Sequence, residues 1–123
     1  MNAQKFTQKS LEAIQEAQNI AIANQNMNIE QEHLLLALMK LDNSLTAELF
    51  KKMNISAEAL TASLENLVNS LPKVSGSGRA PDTVYLTHSV DAALVEAENK
   101  AKKMGDEYVS VEHIVLAVIE MPN

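Results

Sequence analysis

The sequence predicts an all-α domain built from two copies of one helical module, the second copy shorter than the first. Three observations carry this prediction. Hydrophobic residues make up 46% of the 123 residues while aromatics are 3%, with three Gly, three Pro and no Cys, so the core must be assembled from Leu, Ile, Val, Ala and Met. Apolar positions recur at helical spacing along most of the chain. Finally, residues 6–40 lie over residues 86–120 without a gap. Thr7 falls on Thr87, Ala13 on Ala93, Glu16 on Glu96, Ala17 on Ala97, Asn19 on Asn99 and Ala21 on Ala101. Glu32-His33 falls on Glu112-His113, and Leu36-Ala37 on Leu116-Ala117. Such a run of identities at fixed offset is an internal duplication.

Each element follows from local chemistry. Thr7 is an N-cap for a helix over "QKSLEAIQEAQNIAIANQ", with Phe6 positioned to pack on Leu11 as a hydrophobic staple. Leu11, Ile14, Ala17, Gln18, Ala21 and Ile22 trace its inward stripe. The polar stretch "NQNMN" ends it. A second helix runs from about Glu30 to Leu41, and its "LLLAL" is apolar nearly all round and therefore buried. Asp42-Asn43-Ser44 supplies a turn and cap before a short third helix ending near Met53. Ser56 caps a fourth, whose Leu60, Leu64, Leu67 and Leu71 recur at helical spacing.

The segment from Pro72 to Asp82, "PKVSGSGRAPD", holds two of the three Pro and two of the three Gly, and reads as a linker. Thr87 caps the next helix, Lys100, Lys102 and Lys103 complement the dipole in its last turns, and Gly105 ends it in a left-handed conformation. Ser110 caps a final helix, Val111 to about Glu120, which Met121-Pro122 terminates. The organisation is one domain: repeat one over about 1–71, a linker over about 72–82 and a partial repeat two over about 83–123. The second copy stops early, as in a fragment of a larger protein.

Charge and composition exclude several functions. Sixteen acidic residues against ten basic ones give a net charge of −6, with no basic patch dense enough for a phosphate backbone, so nucleic acid is not an expected partner. No cysteine is present for a disulfide, a thiolate metal site or a Cys nucleophile. The N-terminal residues lack the apolar segment of a signal peptide, and no apolar run approaches the ~20 residues of a membrane span. A cytoplasmic location without membrane contact is the expectation.

The repeated Glu-His pairs are the first candidates for chemistry. Zinc motifs on helices place two His one turn apart with a carboxylate, and neither H-E-x-x-H nor its inverse occurs: Ile29 and Val109 stand where the inverse would need His. In each copy the His lies in the first helical turn, where the Glu suits the helix dipole and the imidazole can bond near the cap. The pairs therefore mark structure, with a metal shared between copies as the minor alternative. "SGSGR" lacks the order of a phosphate-binding loop. His88, Ser89 and Asp91 share one turn without a nucleophile-elbow context. Asp106, Glu107 and Glu112 surround one interhelical corner, a solvated face or a surface for a partner. Met39, Met53 and Met104 sit at core-like spacings. No catalytic constellation emerges, and the residues describe a binding module.

At "EHLLLAL" and "EHIVLAV", with "FTQKSLEAIQEAQNIA" before the first and "GDEYVSVEH" leading into the second, the chain resembles the Clp N-terminal repeat domain. That domain heads the Clp-type AAA+ protein-remodelling ATPases, and the resemblance covers essentially the whole chain. It implies two pseudo-symmetric four-helix repeats, eight helices when complete, with the eighth missing or unformed here. The loop "LPKVSGSG" is most similar to that of ClpB-type members, which disaggregate proteins, and less to ClpC-type members, which feed a protease.

The resemblance implies a substrate-recruiting domain tethered above a homohexameric ATPase ring, itself a monomer without catalysis. Its partners would be unfolded or aggregated proteins, with adaptor proteins as further partners. No cofactor is implied for this chain; ATP and Mg would belong to ATPase modules outside it. For ClpB-like members the substrate-facing surface maps onto Thr7, Asp106 and Glu112. Glu96, Lys100 and His113 stand where some members have Leu, a departure from the aliphatic groove those members show. The alternatives are an adaptor-docking domain of a ClpC-like unfoldase and, in another class, a free-standing hydrolase or metal-binding helical protein. The last requires Glu32, His33, Glu112 and His113 to converge.

Overall fold

The structure, a computed structural model, describes residues 3–41, 45–73 and 85–120. A single 3-10 turn at Ala3–Lys5 leads into α1 (Gln8–Ala23), β1 (Asn28–Ile29), α2 (Gln31–Lys40), α3 (Leu45–Lys52) and α4 (Ala57–Ser70). The second repeat contributes β2 (Tyr85–Leu86), α5 (His88–Lys103) and α6 (Val111–Glu120). The duplication is visible in the lengths: α1 and α5 are both 16 residues, α2 and α6 both 10. Counterparts of α3 and α4 do not follow α6 among the described residues, so the second repeat lacks two helices there, not one. The predicted turn and cap at Asp42-Asn43-Ser44, most of the linker and the stop at Met121-Pro122 lie outside the described residues.

Capping residues fix where the long helices begin. The Thr7 hydroxyl accepts from Ser10 N–H at 3.2 Å, and the Thr87 hydroxyl accepts from Val90 N–H at 3.3 Å. Ser56 does the same for α4 through Ala59 N–H at 3.2 Å. These bonds satisfy helix N–H groups that have no partner inside the helix.

Both first helices end in the same Schellman motif. Gln25 N–H reaches Ile22 O at 3.0 Å and Asn26 N–H reaches Ala21 O at 2.8 Å. In the second copy Gly105 N–H reaches Lys102 O at 3.1 Å and Asp106 N–H reaches Ala101 O at 2.8 Å. The motif needs a left-handed residue at its turn, supplied by Gln25 (φ 60°) and Gly105 (φ 75°).

The two repeats are stitched together by exchange of short extended segments, a feature the helical periodicity does not reveal. β1 pairs in parallel with β2, Asn28 opposite Tyr85 and Ile29 opposite Leu86. Reciprocally, Phe6 forms a parallel bridge with Val109. Thr7 N–H donates to Val109 O at 2.9 Å and Val109 N–H to Lys5 O at 2.7 Å. Thr87 N–H donates to Ile29 O at 3.2 Å, the matching bond on the other side. Each repeat thus lends the segment before its first helix to the segment before the other repeat's second helix. The helices repeat the pattern: α1 packs on α6, α5 on α2, and α2 and α6 meet at the centre.

One core serves both copies, with Phe6, Leu34, Leu38, Leu94, Ile114 and Val115 among its buried members. The inward face of α1 differs from the expected stripe. It is centred on Ser10, Ala13, Ala17 and Ala21, while Leu11, Ile14, Gln18 and Ile22 flank it half-buried. Small side chains let α1 lie close on its neighbours, and the larger ones fill the margins. Phe6 and Leu11 join the same core, as a staple would require. Met39 packs on the core, but Met53 and Met104 are exposed, because both lie at helix C-terminal turns where the backbone leaves the core. On α4, Leu64 and Val68 are buried and Leu67 is exposed.

Candidate functional site

The residues that the resemblance singles out lie at the start of α1, in the α5–α6 corner and in the first turn of α6. Thr7 sits at the N-cap of α1, half-buried, its hydroxyl also donating to Ser10 Oγ at 2.9 Å. Ser10 Oγ in turn donates to Val109 O at 2.9 Å. The start of α1 is therefore tied to the corner by two bonds to one carbonyl, since Thr7 N–H also reaches Val109 O. Glu112 lies exposed in the first turn of α6, where its charge suits the helix dipole. Asp106 follows the left-handed Gly105, so the Schellman turn sets its backbone.

His113 completes the corner. Its Nδ1 accepts Ser110 N–H at 2.9 Å, the reach-back that Glu or Gln makes in a capping box. That bond leaves the proton on Nε2, which donates to Asp106 Oδ2 at 2.9 Å. Ser110 was expected to cap α6 with its hydroxyl; instead that hydroxyl lies 3.0 Å from His113 Nδ1, and the imidazole serves the backbone. His113 is 4% exposed, whereas the Asp106 side chain is 49% exposed. Sequence reasoning placed function away from the histidines and so missed this contact. The signal was present: Asp106 and Asn26 both precede a His by seven residues, at matching positions of the duplication.

Repeat one builds the same corner and closes it. His33 Nδ1 accepts Glu30 N–H at 2.9 Å and Nε2 donates to Asn26 Oδ1 at 2.8 Å. Here the partner is a buried amide, whose Nδ2 donates to Pro72 O at 3.1 Å. Burial holds His33 below the ordinary imidazole pKa, with the Glu32 charge opposing in part. Partial burial, and then Glu32, raise the Glu30 carboxyl. Both ring nitrogens of each histidine are engaged within its own repeat. Among the described residues no group of three or more His, Asp or Glu side chains could hold a metal ion.

Of the three positions that depart from the aliphatic pattern, Lys100 and His113 are held in side-chain contacts. Lys100 pairs with Glu120, joining α5 to α6, Glu96 is half-exposed on α5, and His113 is buried under Asp106. A cavity of about 300 Å³ opens at this corner, lined by Lys5, Glu98, Lys102, Asp106, Glu107 and Val109 among others. No helix among the described residues is long and apolar enough to cross a membrane.

The model of the Clp repeat (R) N-terminal domain matches residues 5–123. The chain belongs to that family. A chaperone protein ClpB of Bacillus anthracis is 38% identical over 120 residues, 98% of this chain and 14% of that protein. The ClpB of Nitratidesulfovibrio vulgaris is 39% identical over 122 residues, 99% of this chain and again 14% of the relative. The Clp domain described here thus spans about one seventh of the length of these relatives. Among solved structures, the Hsp104 N-terminal domain from Candida albicans superposes with a TM-score of 0.81 over 94% of this chain and 74% of that one. At 21% identity that likeness speaks for the fold. The chain is a Clp repeat N-terminal domain, mostly α-helical.

Proposed function

We propose that this domain recruits unfolded or aggregated polypeptide for an ATP-dependent, ClpB-like disaggregase and passes it to the AAA+ ring. The observation that carries the reading is the junction at Thr7, Asp106 and Glu112. There a half-buried cap bonded across the seam to Val109, and two exposed carboxylates that flank Val109 in sequence, lie at the start of α1 and at the α5–α6 corner, in a chain whose relatives bear the ClpB name. That name also favours the disaggregase over the protease-coupled, adaptor-docking alternative.

Weak binding suits the role, because a substrate held tightly would not move on. In a homohexamer, tethered copies would gain by effective concentration what one copy lacks in affinity. Hydrolysis of ATP, with its Mg, would belong to modules outside these residues, and the domain alone would be a monomer in the cytoplasm. Titration of a fluorescein-labelled, permanently unfolded polypeptide into the isolated domain tests the reading. Saturable binding weakened by Thr7→Ala combined with Asp106→Ala is the expected result. Absence of binding at millimolar domain, or binding indifferent to both substitutions, rejects it.

A further inference from the structure

We infer that His113 is a positioning residue for polypeptide binding, holding the Asp106 carboxylate in a fixed attitude on the seam between the repeats. The inference rests on the reading of Asp106 as a substrate contact and adds the group that orients it.

Comparison of the two corners of the same chain separates what the fold requires from what this corner adds. In both copies the Schellman turn closes with a 2.8 Å bond, and the histidine Nδ1 takes the cap N–H at 2.9 Å. These bonds end one helix and start the next, and they need only Nδ1. The Nε2 proton has a separate destination. In repeat one it goes to Asn26, a neutral side chain that is 3% exposed and covered by the segment leaving α4. In repeat two it goes to Asp106, half in solvent. A buried carboxylate at position 26 would lose its hydration, so a neutral amide suits the closed corner. At the open corner the charge keeps its water and can face a partner.

An exposed Asp samples several rotamers, and ordering it on binding costs conformational entropy. The imidazole removes that freedom beforehand, since its own ring is fixed by burial and by Ser110. One carboxylate oxygen is pinned at 2.9 Å, and the half-exposed group is presented in one orientation. Preorganisation of this kind raises affinity without adding a contact.

The test separates the two nitrogens. His113→Asn places an amide near the Nδ1 position, so it can serve Ser110 N–H but does not reach Asp106. His113→Gln places its amide nitrogen near Nε2 and restores a donor to the carboxylate. With the labelled unfolded polypeptide as probe, His113→Asn is expected to weaken binding about fivefold, the effect of one hydrogen bond, and His113→Gln to recover most of it. Binding that follows thermal stability across the two variants, rather than the presence of the donor, overturns the inference. Nitrogen-15 shifts of the His113 ring in the unmodified domain should report the Nε2–H tautomer, and the Nδ1–H form would overturn it as well. If Asp106→Ala weakens binding while His113→Asn does not, this inference fails and the functional reading stands. If the unmodified domain binds nothing, both fail.

Discussion

Gln25 and Gly105 occupy the same left-handed position after the first helix of each repeat, yet only one of them is a glycine. An L side chain there costs about 1–2 kcal/mol, offset in part by the greater unfolded-state freedom of Gly. Gln25→Gly should therefore stabilise the domain by about 0.5–1 kcal/mol, seen as a rise in thermal midpoint. Gly105→Ala should cost about 1 kcal/mol; an added Cβ meets nothing within 4 Å, so the loss comes from backbone strain alone. A second residue-scale prediction concerns His33. Its folded pKa lies below the free value of 6.5, so its contribution to stability is complete above that pH and is lost as pH falls from 6.5 towards the folded value. Protonation would also put a hydrogen on Nδ1, which now accepts Glu30 N–H. Urea midpoints at pH 7.5 and 5.5 should differ more for the unmodified domain than for His33→Gln. The reverse ordering would exclude His33 as the group responsible.

Helix positions and the caps of α1, α4 and α5 were legible in the chain because they depend on neighbours three or four residues away. Which face turns inward was legible only in part. The apolar stripe of α1 pointed to Leu11, Ile14 and Ile22, but Ala13, Ala17 and Ala21, each 0% exposed, form its centre. Periodicity ranks residues by hydrophobicity, whereas close helix approach selects small ones. Ala17→Leu is accordingly expected to destabilise by about 1–3 kcal/mol through overpacking, whereas Leu11→Ala at the half-buried margin should cost less. Similar chemical denaturation midpoints for the two would contradict this packing. On α4 the expected Leu67 is exposed because the helix rests on α2 through Leu64 and Val68, next to the half-buried Leu35, and Leu67 reaches the rim of the groove facing Ile119.

The exchange of extended segments makes the repeats dependent on one another. Phe6 is 4% exposed and lies in the core while its backbone neighbours bond Val109 across the seam. Phe6→Ala should cost about 3–5 kcal/mol, and unfolding should remain a single transition because no copy holds its core alone. Residues 1–73 expressed without the second repeat would leave Ile29 without β2 and α2 without α6. Circular dichroism of that fragment should show helix without a cooperative melt. A sharp transition would mean that repeat one is self-sufficient. The candidate site is likewise a whole-molecule property, since Thr7 and Asp106 come from different repeats, Thr7 bonded across the seam to Val109 and Asp106 held by His113.

The sequence by itself determined the all-α class, the duplication, the caps of α1, α4 and α5, the left-handed Gly105 and the family, because each is written in local chemistry or in identity at fixed spacing. The tertiary structure decided which face of each helix is buried, how the copies exchange strands, and what the two histidines do. Those outcomes depend on contacts between residues far apart in the chain. The same Glu-His pair closes over a buried amide in one repeat and supports an exposed carboxylate in the other. The difference is set by the segment that covers Asn26 and leaves Asp106 in solvent.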